Sequence, residues 1–221
     1  MRGASGAAIV IPAFNEAASI GKVVEEVRVY GTPVVVDDGS ADDTGARATK
    51  AGATVVRHAN NQGYDAALQS GFAAAEKIGA EAILTFDADG QLDAGAIPLA
   101  LAALADGRTG FVLGTRDSGA ARWSEALFNL YARVRFGVPD ILCGLKAFRI
   151  DGYAAHRGQL AGQSINTALA LALLRKQVPF KLVPIGAKPR IGLSRFGQGW
   201  RANRRILGAL GGAVMDDVLG R

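Results

Sequence analysis

A chain of 221 residues, 49% hydrophobic and 20% charged, has the composition of an ordinary soluble globular protein and the length of one domain. Its single cysteine, Cys143, excludes an intrachain disulfide and a cysteine-built zinc site, and suits a reducing cytoplasm. The net charge of +5 is polarised: Gly152 to Met215 holds no Asp or Glu but ten Lys and Arg, so that part is expected to meet an anion such as phosphate, nucleic acid or a lipid headgroup.

The N-terminal "MRGASGAAIVIPAFNE" has too short an apolar core for a signal peptide. No later stretch reaches the roughly 18 apolar residues that cross a bilayer. A cytoplasmic protein, at most peripheral to the membrane, is expected. In chain order, "AAIVIP" reads as a buried strand closed by Pro12. "EAASIGKVVEEVRVY" reads as a helix, with Ile20, Val23, Val24 and Val27 on one face. The "VVV" after Pro33 is a second strand, and the Asp- and Gly-rich turn "DDGSADDT" feeds a helix to Lys50. "ATVVR", "AILTF" and "GFVLG" are further strands, separated by the helices in "NNQGYDAALQSGFAAAEKIG" and "AGAIPLALAALADG". "SEALFNLYARVRF" and "INTALALALLRKQ" are helices, "LKAFRI" and "FKLVPI" strands, and "GAKPRIGLSRFGQG" a basic loop. A basic amphipathic helix over about 198–219 ends this single domain, spanning 1–221, with no internal repeat. Alternating strands and helices predict an α/β fold, a mostly parallel central sheet with helices on both faces. The polar clusters "NE", "DDGS", "NNQG", "DADGQ" and "GTRD" each follow a strand, so they should converge on the carboxyl rim where such sheets bind ligands.

Two of these clusters carry paired acids. Asp87-x-Asp89 reads either as a solvated acidic turn or as a site for a hard divalent cation, Mg²⁺ or Mn²⁺. The apolar strand before it and Gln91 after it favour the cation. In "VVVDDGS" one Asp is explained by capping the turn; a second suits the hydroxyl and N–H donors of a nucleoside. There is no GxGxxG after the first strand and no GxxxxGK[ST] anywhere, which disfavours a nicotinamide dehydrogenase and a P-loop NTPase.

"VIPAFNEAASI", "VVVDDGSADDT", "NNQGYDAALQSGF", "FDADGQLD", "LGTRD" and "DILCGLKAFR" occur in order and together closely resemble family 2 glycosyltransferases of the GT-A (nucleotide-diphospho-sugar transferase) fold. The resemblance covers roughly residues 8–196 and is nearest to polyprenyl-phosphate (dolichol-phosphate) hexose synthases. It implies an inverting, metal-dependent enzyme that moves a hexose from a nucleotide sugar of the GDP-mannose or UDP-glucose type to a polyprenyl phosphate. By that resemblance Pro12, Phe14 and Glu16 line the nucleoside pocket, and Val36 and Asp38 contact base and ribose. Asp87, Ala88, Asp89 and Gln91 hold the metal and the diphosphate, with Asp87, Asp89 and Gln91 as metal ligands. Arg116 faces phosphate, and Arg190 and Arg195 belong to a basic loop that folds over donor and acceptor.

The chain departs from the family pattern twice. "NxGxG" is Gly63-Tyr64-Asp65 here, and the helix that often begins with Glu has Ser164, Ile165 and Asn166. An alcohol acceptor would then need Asp117 or Asp140 as its base, whereas a phosphate acceptor needs none. The membrane partner is expected at the C-terminal helix, through Trp200, Arg201, Arg204 and Arg205 with Ile206, Leu207 and Leu210, unless that helix packs on the core. Rival readings are a soluble or glycan acceptor, and a non-catalytic protein that binds anionic ligands. Nucleic acid is not expected, because the basic residues lack interleaved aromatics. His58 and His156 read as surface or loop residues, Trp123 and Trp200 as packing residues, and Cys143 as a small core residue. Oligomeric state has no sequence signal.

Overall fold

The computed structural model describes residues 6–116, 122–160, 165–186 and 200–219. Seven strands form one sheet among these residues: β1 (Ala7–Ala13), β2 (Thr32–Asp37), β3 (Thr54–Arg57), β4 (Ala82–Thr85), β5 (Phe111–Arg116), β6 (Lys146–Arg149) and β7 (Phe180–Ile185). Their order is β3-β2-β1-β4-β6-β5-β7. The helices are α1 (Ile20–Val27), α2 (Thr44–Lys50), α3 (Tyr64–Lys77), α4 (Ile97–Ala105), α5 (Trp123–Phe136), α6 (Ile150–His156), α7 (Ile165–Arg175) and α8 (Trp200–Leu219). β1 is apolar and buried along its whole length, as a strand covered on both faces must be. One face is covered by α1 and α4, through Ile20, Val24, Ile97 and Leu104. The other lies under α3, α5, α7 and α8, through Leu68, Phe72, Phe128, Leu169 and Leu210.

β1, β2, β3 and β4 are mutually parallel, as expected. β6 is the exception. It slots between β4 and β5, antiparallel to both. Strand reading cannot see this, because a single strand segment carries no mark of its direction or neighbour. The consequence is functional: β6 begins at the rim where β4 and β5 end, and brings Gly144 to Lys146 beside Thr85. α6 begins at the last residue of the expected strand "LKAFRI" and had no expectation of its own.

Burial corrects the expectations for the two histidines, for α8 and for Trp123. His156 is buried, with Nδ1 2.8 Å from the Gly152 carbonyl. His58 is not a surface residue either: its side chain is only 9% exposed, for reasons given below. In α8, Ile206 and Leu210 are core residues packed on the second layer and cannot face lipid, so the core-packing reading holds for that side of the helix. The side chains of Trp200 and Arg201 lie outside the described residues, as do Arg190, Arg195, Asp117 and Ser164. Trp123 is exposed rather than packed.

Candidate active site

The rim is built from the ends of β1, β2, β4 and β5. The loop after β1 and the loop after β2 are zipped together. Asn15 takes a left-handed backbone (φ 55°), accepts from the Ala41 N–H with its Oδ1 and donates its own N–H to Ser40 Oγ. The Glu16 N–H donates to Thr44 Oγ1 at 2.8 Å. This arrangement holds Pro12, Phe14 and Glu16 in one place: Pro12 and Glu16 buried, Phe14 half-buried. Val36 sits opposite Pro12 in register, but its side chain is fully buried in the core. The whole residue is 0% exposed, so the contact with base or ribose expected of Val36 is not open at its surface.

The adjacent acids of "DDGS" divide the work. Asp37 Oδ1 accepts from the Ser40 N–H at 2.9 Å and shapes the turn. Asp38 accepts from the N–H groups of Gln62 and Gly63, and from His58 Nδ1 at 2.6 Å. His58 Nε2 in turn lies 2.9 Å from Ser70 Oγ on α3. Three donors thus converge on a buried carboxylate with about four lone-pair sites, leaving room for about one more. Asp38 anchors the loop 58–63 beside the expected nucleoside pocket, and the half-buried His58 supports it.

Asp87, Asp89 and Gln91 lie half-buried just beyond β4, with Ala88 buried between the acids. The Gln91 N–H donates to Asp89 Oδ1 at 3.0 Å, closing the turn. Gly144, at the head of β6, lies so close that a Cβ there would fall 2.1 Å from Asp87 Oδ2. The Asp87 carboxylate therefore occupies a cradle that only glycine leaves open. Below it, Thr85 Oγ1 donates to the Gly144 carbonyl at 2.6 Å and accepts from the Lys146 N–H and from Asn166 Nδ2. Lys146 is buried and donates its Nζ to the Cys143 carbonyl at 2.7 Å. Burial pushes its ammonium down to about 8, against the pull of nearby groups that include Asp140 and Asp87. Burial also raises the Tyr64 phenol well above its ordinary value, with the charges of Asp87 and Asp65 adding to the effect. Tyr64 stays a protonated donor next to the acids. Asp65, the unexpected acid, accepts from the Ile165 N–H at 3.0 Å and caps α7 from a distance.

Arg116, at the end of β5, is held by Asp140 through two side-chain bonds of 2.8 and 3.0 Å, while its own N–H reaches Asp140 at 3.2 Å. Asn129 of α5 donates to Asp140 and accepts from the Ile141 N–H. Burial would raise the Asp140 carboxyl, but bonding to Arg116 outweighs it and holds the pKa below the usual value. The same pairing raises Arg116. Asp140 is thus a poor proton acceptor and a good orienter of Arg116. Its folded pKa is depressed, so its contribution to stability is present above the unfolded carboxylate pKa and is lost as pH falls through the folded one. Asp140→Asn should cost about 1–3 kcal/mol, less than a fully buried pair because Arg116 is partly exposed, and should flatten that acid limb. Urea unfolding across the acid range measures both.

Among the described residues no cluster of three or more His, Cys, Asp or Glu forms a closed metal cage. The donor set is instead two carboxylates and an amide beside a glycine cradle. That fits a hard divalent cation whose remaining ligands come from a phosphorylated substrate and water. Lys146, Gly144, Tyr64 and His58 were not anticipated as parts of the site. Lys146 opens a strand that also carries Arg149, so its charge alone did not single it out.

The glycosyl transferase family 2 model matches residues 8–157. A protein of Methanocaldococcus jannaschii is 45% identical over 85 residues, covering 38% of this chain and 35% of that one. A glycosyltransferase of Mycobacterium tuberculosis is 33% identical over 137 residues, covering 59% and 61%. The chain therefore spans less than two thirds of these relatives' lengths. The UDP-N-acetylglucosamine–dolichyl-phosphate N-acetylglucosaminyltransferase of Methanococcus voltae is 28% identical over 212 residues, covering 79% and 84%. Among solved structures, the glucosyl-3-phosphoglycerate synthase of Mycobacterium tuberculosis with Mn²⁺, UDP and glucosyl-3-phosphoglycerate superposes with a TM-score of 0.72 at 20% identity, covering 95% and 80%. With the family model matching well over half its length, and with this sheet order and rim, the chain belongs to glycosyltransferase family 2 and has the GT-A fold.

Proposed function

We propose that the protein moves a hexose from a nucleotide sugar to an acceptor that carries a phosphate, with polyprenyl phosphate as the favoured acceptor. The observation that carries this reading is the rim itself: Asp87 and Asp89 beyond β4, in the Gly144 cradle, with Arg116 at the end of β5 on the same rim. Asp87, Asp89 and Gln91 would hold Mg²⁺ or Mn²⁺. When bound, the ion supplies charge neutralisation at the donor diphosphate. Pro12, Phe14, Glu16 and Asp38 would position the nucleoside. Arg116, aimed by Asp140, would stabilise charge on the departing diphosphate. Ala88 allows the backbone close approach, and Arg190 and Arg195 would close over the phosphates.

Two observations support a phosphate acceptor. Asp140 is committed to Arg116 and is a poor base, and the start of α7 offers Asn166 where the family pattern often has Glu. A phosphate oxygen is already an anion and can attack the anomeric carbon unaided, inverting it. The Methanococcus voltae relative is named for a dolichyl-phosphate acceptor. The second reading, a soluble phosphorylated acceptor, is favoured by the fold likeness to a synthase solved with glucosyl-3-phosphoglycerate. A thermal-shift screen of nucleoside diphosphates with and without Mn²⁺ tests the shared part. One nucleotide should raise Tm, and only with metal; no shift from any nucleotide overturns the reading.

A further inference from the structure

Correcting the role of α8 exposes a different apolar surface. On α5, Trp123, Leu127, Leu130 and Val134 recur at i, i+4, i+7 and i+11, and all four are exposed, Val134 to 80%. On α8, Leu207, Gly211, Val214 and Val218 repeat that spacing. Leu207 is half-exposed and the other three are exposed, Val218 to 78%. The helices lie side by side and run the same way. Ser124 bonds Asn203 near their starts, and Tyr131 and Arg135 bond Asp217 near their ends. At about 100° per residue, each stripe lies about a quarter turn from those contacts, on the same side of the pair. The two stripes therefore form one face.

The charges around this face have one sign. Arg133 of α5 flanks it on one edge, and Arg204 of α8 lies on the other, both exposed. The stripes contain no acid, and Asp217 is turned inward onto Arg175 at 2.6 Å. An apolar stripe with an exposed Trp at its head and arginines at its edges matches an anionic membrane interface. The helix that carries this face also reaches the site. Asn129 of α5 bonds Asp140, which holds Arg116, and only six residues separate Arg116 from Trp123.

We propose that α5 and α8 together form a docking face for an anionic lipid bilayer, one that brings the rim to the level of the headgroups. This rests on the reading of a lipid-borne acceptor and specifies where the membrane lies. It keeps Arg204 and Leu207 of the contact expected from sequence, drops the buried Ile206 and Leu210, and adds the outer stripe of α5.

The test is cosedimentation of the full chain with vesicles of phosphatidylglycerol mixed with phosphatidylcholine, against phosphatidylcholine alone. The protein should pellet with the anionic vesicles only, and added salt should weaken that binding. The V134E/V218E variant, with one change on each helix at very exposed positions, should bind at least about tenfold less. It should keep the Mn²⁺-dependent nucleotide shift. Trp123→Ser is a second, milder variant that should also weaken binding. Wild-type protein that stays in the supernatant overturns the proposal, as does a variant that pellets like wild type. So does a wild-type dimer, seen by light scattering, that V134E/V218E turns into monomer, because a second copy then covers the face. Failure of the nucleotide shift with vesicle binding intact would sink the transferase reading and leave the docking face standing.

Discussion

Asp89→Ala is expected to lower metal-dependent release of nucleoside diphosphate by about 10²–10³-fold or more, the range found when one preorganised charge-stabilising group is lost. Asp89 is half-buried in a turn, and its carboxylate accepts from the Gln91 N–H. Losing that turn bond should cost about 1 kcal/mol of stability. The measurement pairs turnover at several Mn²⁺ concentrations with Tm. Retained turnover at ordinary Mn²⁺ would refute the metal assignment. A collapse in Tm would show instead that the turn is structural. Asp89→Asn separates charge from shape, since the amide keeps an acceptor for the Gln91 N–H.

Gly144→Ala should be nearly as damaging, by another route. The added methyl would fall 2.1 Å from Asp87 Oδ2 and 2.6 Å from its Cγ, closer than real contacts allow. Either Asp87 swings out of its cradle or the start of β6 moves, and both spoil the donor set. Overpacking of this kind costs about 1–3 kcal/mol. Movement of Asp87 should raise the Mn²⁺ concentration needed for half-maximal activity by about tenfold, as expected for a change of about 1.4 kcal/mol in binding. A metal titration of activity beside an unfolding curve separates the two effects. If metal dependence is unchanged while stability falls, Gly144 serves β6 alone.

These two predictions differ in where they were legible. Asp89 stood out in the sequence because two acids interrupted an apolar run. Gly144 did not, because a glycine before a strand is ordinary until one knows what lies against it. The same holds for the "DDGS" pair. Its position on the rim was readable from the strand before it. That Asp37 shapes the turn while Asp38 gathers His58, Gln62 and Gly63 depends on a loop twenty residues further along. His58 looked solitary because its partners, Asp38 and Ser70, are distant in the chain. Asp140, in a loop, looked like a free acid because its partner, Arg116, lies 24 residues earlier at the end of β5.

The sequence by itself determined the alternation of strands and helices, and hence the layered α/β fold. It determined too which clusters share the rim, because hydrophobic periodicity and strand-ending polar residues are local properties. Only the tertiary structure decided the antiparallel entry of β6, the cradle around Asp87, the pairing of Arg116 with Asp140 and the outward faces of α5 and α8. Each depends on which distant segment packs against which, and a residue's own neighbours in the chain carry no record of that.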